Sequence, residues 1–311
     1  MKKVCVMLSA YNGEKYLPAQ IESLAAQRGV DMRLYVRDDG SRDSTPEILK
    51  DYRDRGIITK IIEDEKGNLG FADSFYTLVR EADPDCDYYA FCDQDDIWDP
   101  DKLAAASAVL DGMDPARPAL CFGRYRVIDR FGKVKQKIGM KHYRFFPEYA
   151  FEELFSMNFT YGCTCVFNAK AREYYLRYEI GEIRFHDWTI NVICTGLGSV
   201  WFDPVPHMSY RLHESNCFGP VSLSKKSIQR FKKYWKNYEM NNTRLKEMLL
   251  FKKHFYDELT AEKKEFVNMI CGYRDDPALK KKLLRSKRYF HKGKKGWLKI
   301  LNRYQIRKGK L

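Results

Sequence analysis

The stretch Tyr88-Tyr89-Ala90-Phe91-Cys92-Asp93-Gln94-Asp95-Asp96-Ile97-Trp98 decides how this chain is read. An apolar run that turns abruptly polar is the pattern of a buried strand delivering its carboxyl end to a crevice. Three carboxylates within four residues, Asp93, Asp95 and Asp96, repel one another unless a cation sits among them. A hard divalent ion, Mn²⁺ or Mg²⁺, suits such oxygen ligands and brings substrate phosphates with it. The competing account is a helix start, with Asp96 or Asp99 as cap and Pro100 at the first helical position. The cluster alone leaves both open.

Working back toward the amino terminus, short apolar runs alternate with helical patterns, as in parallel α/β proteins. Strands are expected at Lys3–Leu8, Leu34–Val36, Ile57–Ile62 and Tyr88–Cys92, and helices at Glu14–Gln27, Thr45–Tyr52 and Phe71–Glu81. Polar, turn-forming residues follow the strands: Ser9-Ala10-Tyr11-Asn12, Asp38-Asp39-Gly40-Ser41 and Asp93-Gln94-Asp95-Asp96. In an open parallel sheet ligands bind outside those ends, so the three clusters are expected to face one cleft. Beyond Asp101 the pattern is mixed: helices over Lys102–Leu110, Tyr149–Phe155 and Trp188–Cys194, and strands at Ala119–Phe122, Tyr125–Ile128, Cys163–Phe167, Val200–Phe202 and His207–Arg211.

The ordered strings SAYNGEKYL (Ser9 to Leu17), RDDGSRD (Arg37 to Asp43), Asn68-x-Gly70-Phe71 and FCDQDDIW (Phe91 to Trp98) resemble the family 2 glycosyltransferases. Four motifs in order are far more specific than a lone D-x-D. The DQDDIW form is most similar to rhamnosyltransferase-type members that build bacterial polysaccharides. The resemblance covers roughly residues 3 to 220 and implies an α/β protein of the GT-A, or nucleotide-diphospho-sugar transferase, fold: a mostly parallel central sheet flanked by helices. It implies a catalytic domain at residues 1–220, with a nucleotide-binding half (1–100) and an acceptor half (101–220), followed by a basic helical extension at 221–311. The implied reaction is inverting transfer from a dTDP- or UDP-sugar, rhamnose or another hexose, to a glycan or lipid-linked acceptor. Mn²⁺ or Mg²⁺ would neutralise charge on the departing diphosphate.

Carried over residue by residue, the resemblance places Ser9, Tyr11 and Asn12 along base and ribose, with the Tyr11 ring free to stack. Asn68 joins this nucleotide group. Asp39 would accept the imide N–H of uracil or thymine, a donor that cytosine lacks. Turn chemistry alone would also explain Asp38-Asp39-Gly40-Ser41. Asp93 would hold ribose or metal, Asp95 the metal, and Asp96 the metal or its neighbours. Asp187, in His186-Asp187-Trp188, is the candidate general base, and an N-cap is its simpler explanation. His186 could orient Asp187 or the acceptor. Tyr210-Arg211-Leu212-His213 resembles a Y-R-x-H element in which His213 is a further metal ligand and Arg211 pairs with phosphate or carboxylate. Tyr161-Gly162-Cys163-Thr164 is similar to the family's segment bordering the acceptor. There Gly162 would admit substrate close to the backbone, while strand packing accounts best for the sulfur of Cys163.

The charge is uneven: residues 221–311 carry 27 Lys/Arg against 8 Asp/Glu, whereas residues 1–220 carry 28 against 34. A basic tail on an acidic body implies attraction to anionic partners. Phe231, Tyr234, Trp235 and Tyr238 line one helical face, and Lys294-Lys295-Gly296-Trp297-Leu298 repeats the basic-aromatic mixture. Such helices lie on anionic membranes, and a solvated basic bundle explains them equally. Nucleic acid is not expected as a partner because no recognition motif accompanies the charge. No run of about 20 apolar residues is present, and the polar start at Ser9 argues against a signal peptide, so a cytoplasmic enzyme, peripheral on the inner face of the plasma membrane, is expected. The nine scattered cysteines include no C-x-x-C pair and read as buried thiols. Two rivals remain at this level. A sugar nucleotidylyltransferase would open with a Gly-rich phosphate loop, which Ser9 to Gly13 lacks. A non-enzymatic membrane or nucleic-acid binding module would leave the acidic cluster without a purpose.

Overall fold

The computed structural model describes residues 1–64, 66–139, 144–155, 158–214, 216 and 243–310. The aromatic stripe expected at Phe231 to Tyr238 lies outside them. The chain divides into two compact units, residues 1–143 with 160–213, and residues 144–159 with 214–311.

The first unit is built on a seven-stranded sheet in the order β10-β6-β9-β4-β1-β2-β3. Strand β1 (Lys2–Ala10) pairs in parallel with β2 (Val30–Asp38) and with β4 (Tyr88–Asp93). Its run Val4 to Leu8 is wholly buried, as a central parallel strand covered on both faces requires. Strand β3 (Lys60–Ile61) continues the parallel edge beside β2. On the other side β9 (Val166–Asn168) runs antiparallel between β4 and β6 (Ala119–Gly123), and β10 (Ser199–Asp203) closes the sheet parallel to β6. Asn168 fixes this turn of the chain: its Oδ1 accepts from Ala171 N (2.9 Å) to cap the following helix and from Ala119 N (3.0 Å) in the neighbouring strand.

The intervening helices α1 (Leu17–Ala25), α2 (Thr45–Asp54), α3 (Phe71–Glu81) and α4 (Lys102–Asp111) follow the expected pattern. Pro18 and Pro46 fall in first turns, where no backbone donor is lost. Helix α1 begins at Leu17 and not at Glu14, because Glu14 is engaged with the next crossover: its Oε2 accepts from Ser44 N at 3.0 Å.

A second sheet, in the order β5-β11-β7-β8, joins β5 (Ile97–Trp98), β7 (Arg126–Asp129), β8 (Val134–Gln136) and β11 (Met208–Leu212). The sequence pattern gave no sign of β5 and β8, which have two and three residues. The strand expected from Cys163 starts only at Val166, since Gly162–Thr164 forms a 3₁₀ turn closed by Cys165 N to Gly162 O at 2.9 Å. Of the remaining helices in this unit, α6 (Ala169–Tyr175) is unanticipated and α7 (His186–Leu197) extends its expected core in both directions.

The second unit contains α5 (Ala150–Leu154) and the carboxyl-terminal helices α8 (Thr243–Phe255), α9 (Ala261–Gly272), α10 (Pro277–Arg285) and α11 (Gly296–Lys308). Residues 144–159 belong here because Phe151 packs on Phe251 (5.7 Å) and Phe266 (5.9 Å), and Arg288 Nε donates to buried Glu152 at 2.6 Å. Among the described residues no helix is long and apolar enough to cross a membrane.

Candidate active site

Register brings the three polar clusters together. Ser9, at the end of β1, lies opposite Asp93 of β4 on one side and Arg37 of β2 on the other. The Ser9-to-Asn12 loop is tied at both flanks. Gln94 clamps Tyr11, its Oε1 accepting from Tyr11 N and its Nε2 donating to Tyr11 O, both at 2.9 Å. Asn12 N donates to Ser41 Oγ (2.8 Å), and Asn12 Oδ1 accepts from Arg42 N (2.8 Å). Asn12 sits at φ +48°, a left-handed conformation that Asn tolerates better than most residues. Tyr11 is left 45% exposed, with its ring open to a stacking partner. Asn68 is also exposed, whereas the Ser9 hydroxyl already shares a 2.7 Å hydrogen bond with Ser74.

Asp39 is differently placed from a simple base contact. It is buried, and its two oxygens accept from Leu69 N (2.8 Å) and Gly70 N (2.9 Å) while pairing with Arg37. Arg37 in turn grips Asp64 through Nε and Nη2, each at 2.9 Å, and Gly67 O at 2.9 Å. Asp39 therefore organises the loop that carries Asn68 and starts α3 at Gly70, whose φ of +76° suits glycine. Oδ1 takes both Leu69 N and the Arg37 guanidinium, so the acceptor capacity that remains is on Oδ2, which takes Gly70 N alone.

The acidic cluster is held by β5 pairing with β11, Trp98 opposite Met208 and Ile97 opposite Ser209. Arg211 N donates to Asp96 Oδ1 (3.1 Å) and Arg211 Nε to Asp95 O (2.8 Å). His213, immediately beyond β11, places Nε2 at 2.6 Å from Asp95 Oδ2. Tyr16 lies against both residues: its ring is 4.9 Å from the Arg211 guanidinium and 4.8 Å from the His213 ring. Asp93, Asp96 and Cys163 bring ligand-type atoms within 4.8 Å of one another. Burial, then Asp95 and Asp187, push the Asp93 carboxyl up to about 7. Burial, then Asp95 and Asp93, push Asp96 well above its ordinary value, and its Oδ2 is buried without a hydrogen-bond partner. An orphaned carboxylate oxygen beside two further carboxylates and an imidazole is a donor set that fits a divalent cation.

On the opposite side Asp187 stands in the first turn of α7, where the helix dipole favours its negative charge. Its charge is among the influences that raise the Asp93 carboxyl, after burial and Asp95. Its Oδ1 accepts from Trp188 N at 2.7 Å, and Phe185, not Asp187, is the N-cap.

All five residues expected to face acceptor or donor sugar, Gly162, Cys163, His186, Trp188 and Arg211, are buried. His186 is buried in an aromatic box, 4.0 Å from Phe75 and 4.8 Å from Phe91, and neither ring nitrogen has a hydrogen-bond partner. Burial pushes it down to about 3, which favours the neutral ring in this apolar setting. Gly162 makes room for that ring: a Cβ there would stand 2.3 Å from His186 Nε2. Trp188 is part of the core, and buried Arg211 is committed to the cluster's backbone. Cys163 is buried too, against the carboxylates. The sequence reading missed Arg37, Gln94 and Tyr16 as positioning residues; Gln94 lay in plain sight between two acidic residues, but its partner is a backbone 83 positions away.

With this geometry in place, comparison with known proteins is decisive. Residues 5–176 match the family described as Glycosyl transferase family 2. The chain belongs to that family. It is 28% identical over 225 residues to the dTDP-rhamnosyl transferase RfbG of Shigella flexneri, covering 68% of this chain and 73% of that one. Among solved structures, S. aureus TarS (residues 1–349) with UDP-GlcNAc superimposes with a TM-score of 0.55 at 15% identity, covering 100% of this chain and 93% of TarS. The mannosyltransferase PcManGT from Pyrobaculum calidifontis, in complex with GDP-Man and Mn²⁺, gives 0.52 at 14% identity, with 99% and 88% covered. This protein is thus a rhamnosyltransferase-like glycosyltransferase with the GT-A fold. Neither rival reading survives that membership.

Proposed function

We propose that the enzyme transfers a hexose, rhamnose foremost, from a dTDP- or UDP-sugar to a glycan or lipid-linked acceptor, with inversion at the anomeric carbon. The observation that carries this is the gathering of Asp93, Asp95 and Asp96 at the carboxyl end of β4 with His213 against Asp95, and an Asp187 charge that is felt at Asp93. RfbG supports rhamnose on dTDP, and the sugar-nucleotide complexes of TarS and PcManGT support a nucleotide-linked donor.

In this reading Tyr11 stacks on the base, and Asn12, Asn68 and Asp39 shape the pocket beneath it. Asp95 and His213 would hold a divalent ion, Mn²⁺ or Mg²⁺, with Asp93 and Asp96 alongside. Such an ion supplies positive charge for a departing diphosphate. The chain's own chemistry is proton removal: the Asp187 carboxylate takes the acceptor hydroxyl proton as that oxygen bonds to the anomeric carbon. The bond from that carbon to the diphosphate breaks, and its electron pair leaves with the nucleotide. Acceptors of this kind are met at the inner face of the plasma membrane, so the enzyme works in the cytoplasm, at that surface. The test is nucleoside diphosphate release across a panel of dTDP- and UDP-sugars with Mn²⁺. Release must fall by about 10²- to 10⁴-fold in Asp187→Asn and vanish in Asp95→Ala; undiminished release in both variants defeats the reading.

A further inference from the structure

Between Pro277 and Lys310 the chain has fourteen Lys or Arg and no Asp or Glu. Some of this charge is neutralised internally: Lys282 pairs with Glu265, and Arg288 with Glu152 and Glu262. Lys281, Arg285, Lys295, Arg307, Lys308 and Lys310 are exposed. Within α11 the buried positions are Leu298, Asn302, Gln305 and Ile306, one helical face. The opposite face presents Ile300, 71% exposed, and Tyr304, 50% exposed, one turn apart, with Arg307 and Lys308 on the next turn. Of the basic-aromatic mixture at 294–298, Lys294 and Leu298 are turned inward.

We infer that the exposed face of α11 is an interfacial docking surface for an anionic lipid bilayer, with Ile300 and Tyr304 entering the headgroup layer and the surrounding cations pairing with lipid phosphates. A branched aliphatic beside an amphipathic tyrosine, with exposed Arg307 and Lys308 on the next turn, is a composition that suits a membrane interface. Lipid is favoured over protein or nucleic acid because the field is uniformly basic while the centre is apolar. A nucleic-acid surface has no use for an exposed isoleucine, and a second copy of this face would repel the first. The inference rests on the proposed function only for its purpose, delivery to a lipid-linked acceptor.

Flotation of the full chain with vesicles of phosphatidylglycerol and phosphatidylethanolamine, against pure phosphatidylcholine, tests it. The protein should float with the anionic vesicles only. Ile300→Ser with Tyr304→Ser should lower partitioning by about tenfold or more, and Ile300→Trp with Tyr304 kept should retain it. In parallel, release of nucleoside diphosphate with water or a soluble acceptor should be unchanged in the double serine variant, so failure of the docking surface is distinguishable from failure of the catalytic reading. Equal flotation of wild type and double variant overturns the inference. So does a lipid-free dimer that the double variant abolishes, or binding confined to nucleic acid.

Discussion

His213 Nε2 lies 2.6 Å from Asp95 Oδ2 across 118 residues of sequence, the contact by which the chain beyond β11 closes on the acidic loop after β4. A neutral imidazole nitrogen and a carboxylate oxygen this close are the types of group that would ligate one divalent cation together.

His213→Ala should weaken Mn²⁺ binding by about 10- to 100-fold and lower turnover at limiting Mn²⁺, with partial recovery at high Mn²⁺. Asp95→Asn should show the larger loss. Calorimetric titration with Mn²⁺ measures both, and an unaltered affinity in His213→Ala would remove this residue from the ion site.

Ion uptake should depend on pH through Asp93. Its carboxyl is raised from 3.8 to about 7 in the fold, so the folded state binds its proton more tightly than the unfolded chain does. The sign follows: for the ion-free protein this group favours folding at low pH, and that contribution is lost as pH rises from about 4 through about 7. An ion requires the ionised form, so binding below about pH 7 releases protons and tightens as pH rises. Thermal unfolding from about pH 5 to about pH 8 should therefore show a Mn²⁺-induced shift that grows with pH. Asp93→Asn should flatten that dependence; a variant with the wild-type slope would contradict the assignment.

The pairing of His186 and Gly162 gives opposite expectations from those of an acid-base histidine. His186→Phe should keep most activity and leave the pH profile in place, since the ring is neutral and surrounded by Phe75 and Phe91. Gly162→Ala should destabilise by about 1–3 kcal/mol, the usual range for overpacking, because the new methyl would meet the imidazole. Chemical denaturation and steady-state kinetics check the two. A loss of a limb of the pH profile in His186→Phe would instead give this ring a proton-transfer role.

What could be read from the sequence follows contiguity. Phe71–Glu81 was legible to the residue because its apolar spacing lies within one helix, and Asp93, Asp95 and Asp96 because a strand end gathers them in one loop. The sandwich of Tyr16 with Arg211 and His213 was not, since it depends on β5 pairing with β11, and a two-residue strand leaves no periodic trace. The surroundings of His186 were hidden for a different reason. A polar residue type does not disclose that its helix turns it into an aromatic box, and only the Cβ-free backbone of Gly162 hinted at the close packing. Segment 144–159 joined the carboxyl-terminal helices through Phe151 and Glu152, contacts with partners about a hundred residues away or more.

Asp39 separates a structural role from a ligand contact most cleanly. Were it only an acceptor for the base, Asp39→Asn would raise the donor KM and leave the ligand-free protein as stable as wild type. The structure has it receiving two backbone N–H groups and the buried Arg37 at once, and breaking such a pair by neutralising one partner leaves a buried charge uncompensated, about 3–5 kcal/mol. Asp64 keeps part of that charge balanced, so a loss of about 3 kcal/mol, a fall in Tm on the order of 10 °C, is expected without ligand. Arg37→Met should lower Tm comparably, and the double variant should lose less than the two single losses combined, because both remove the same interaction. Differential scanning calorimetry of the three variants decides it: strict additivity would mean that the two residues act independently, and an unchanged Tm in Asp39→Asn would leave the base contact as its whole purpose.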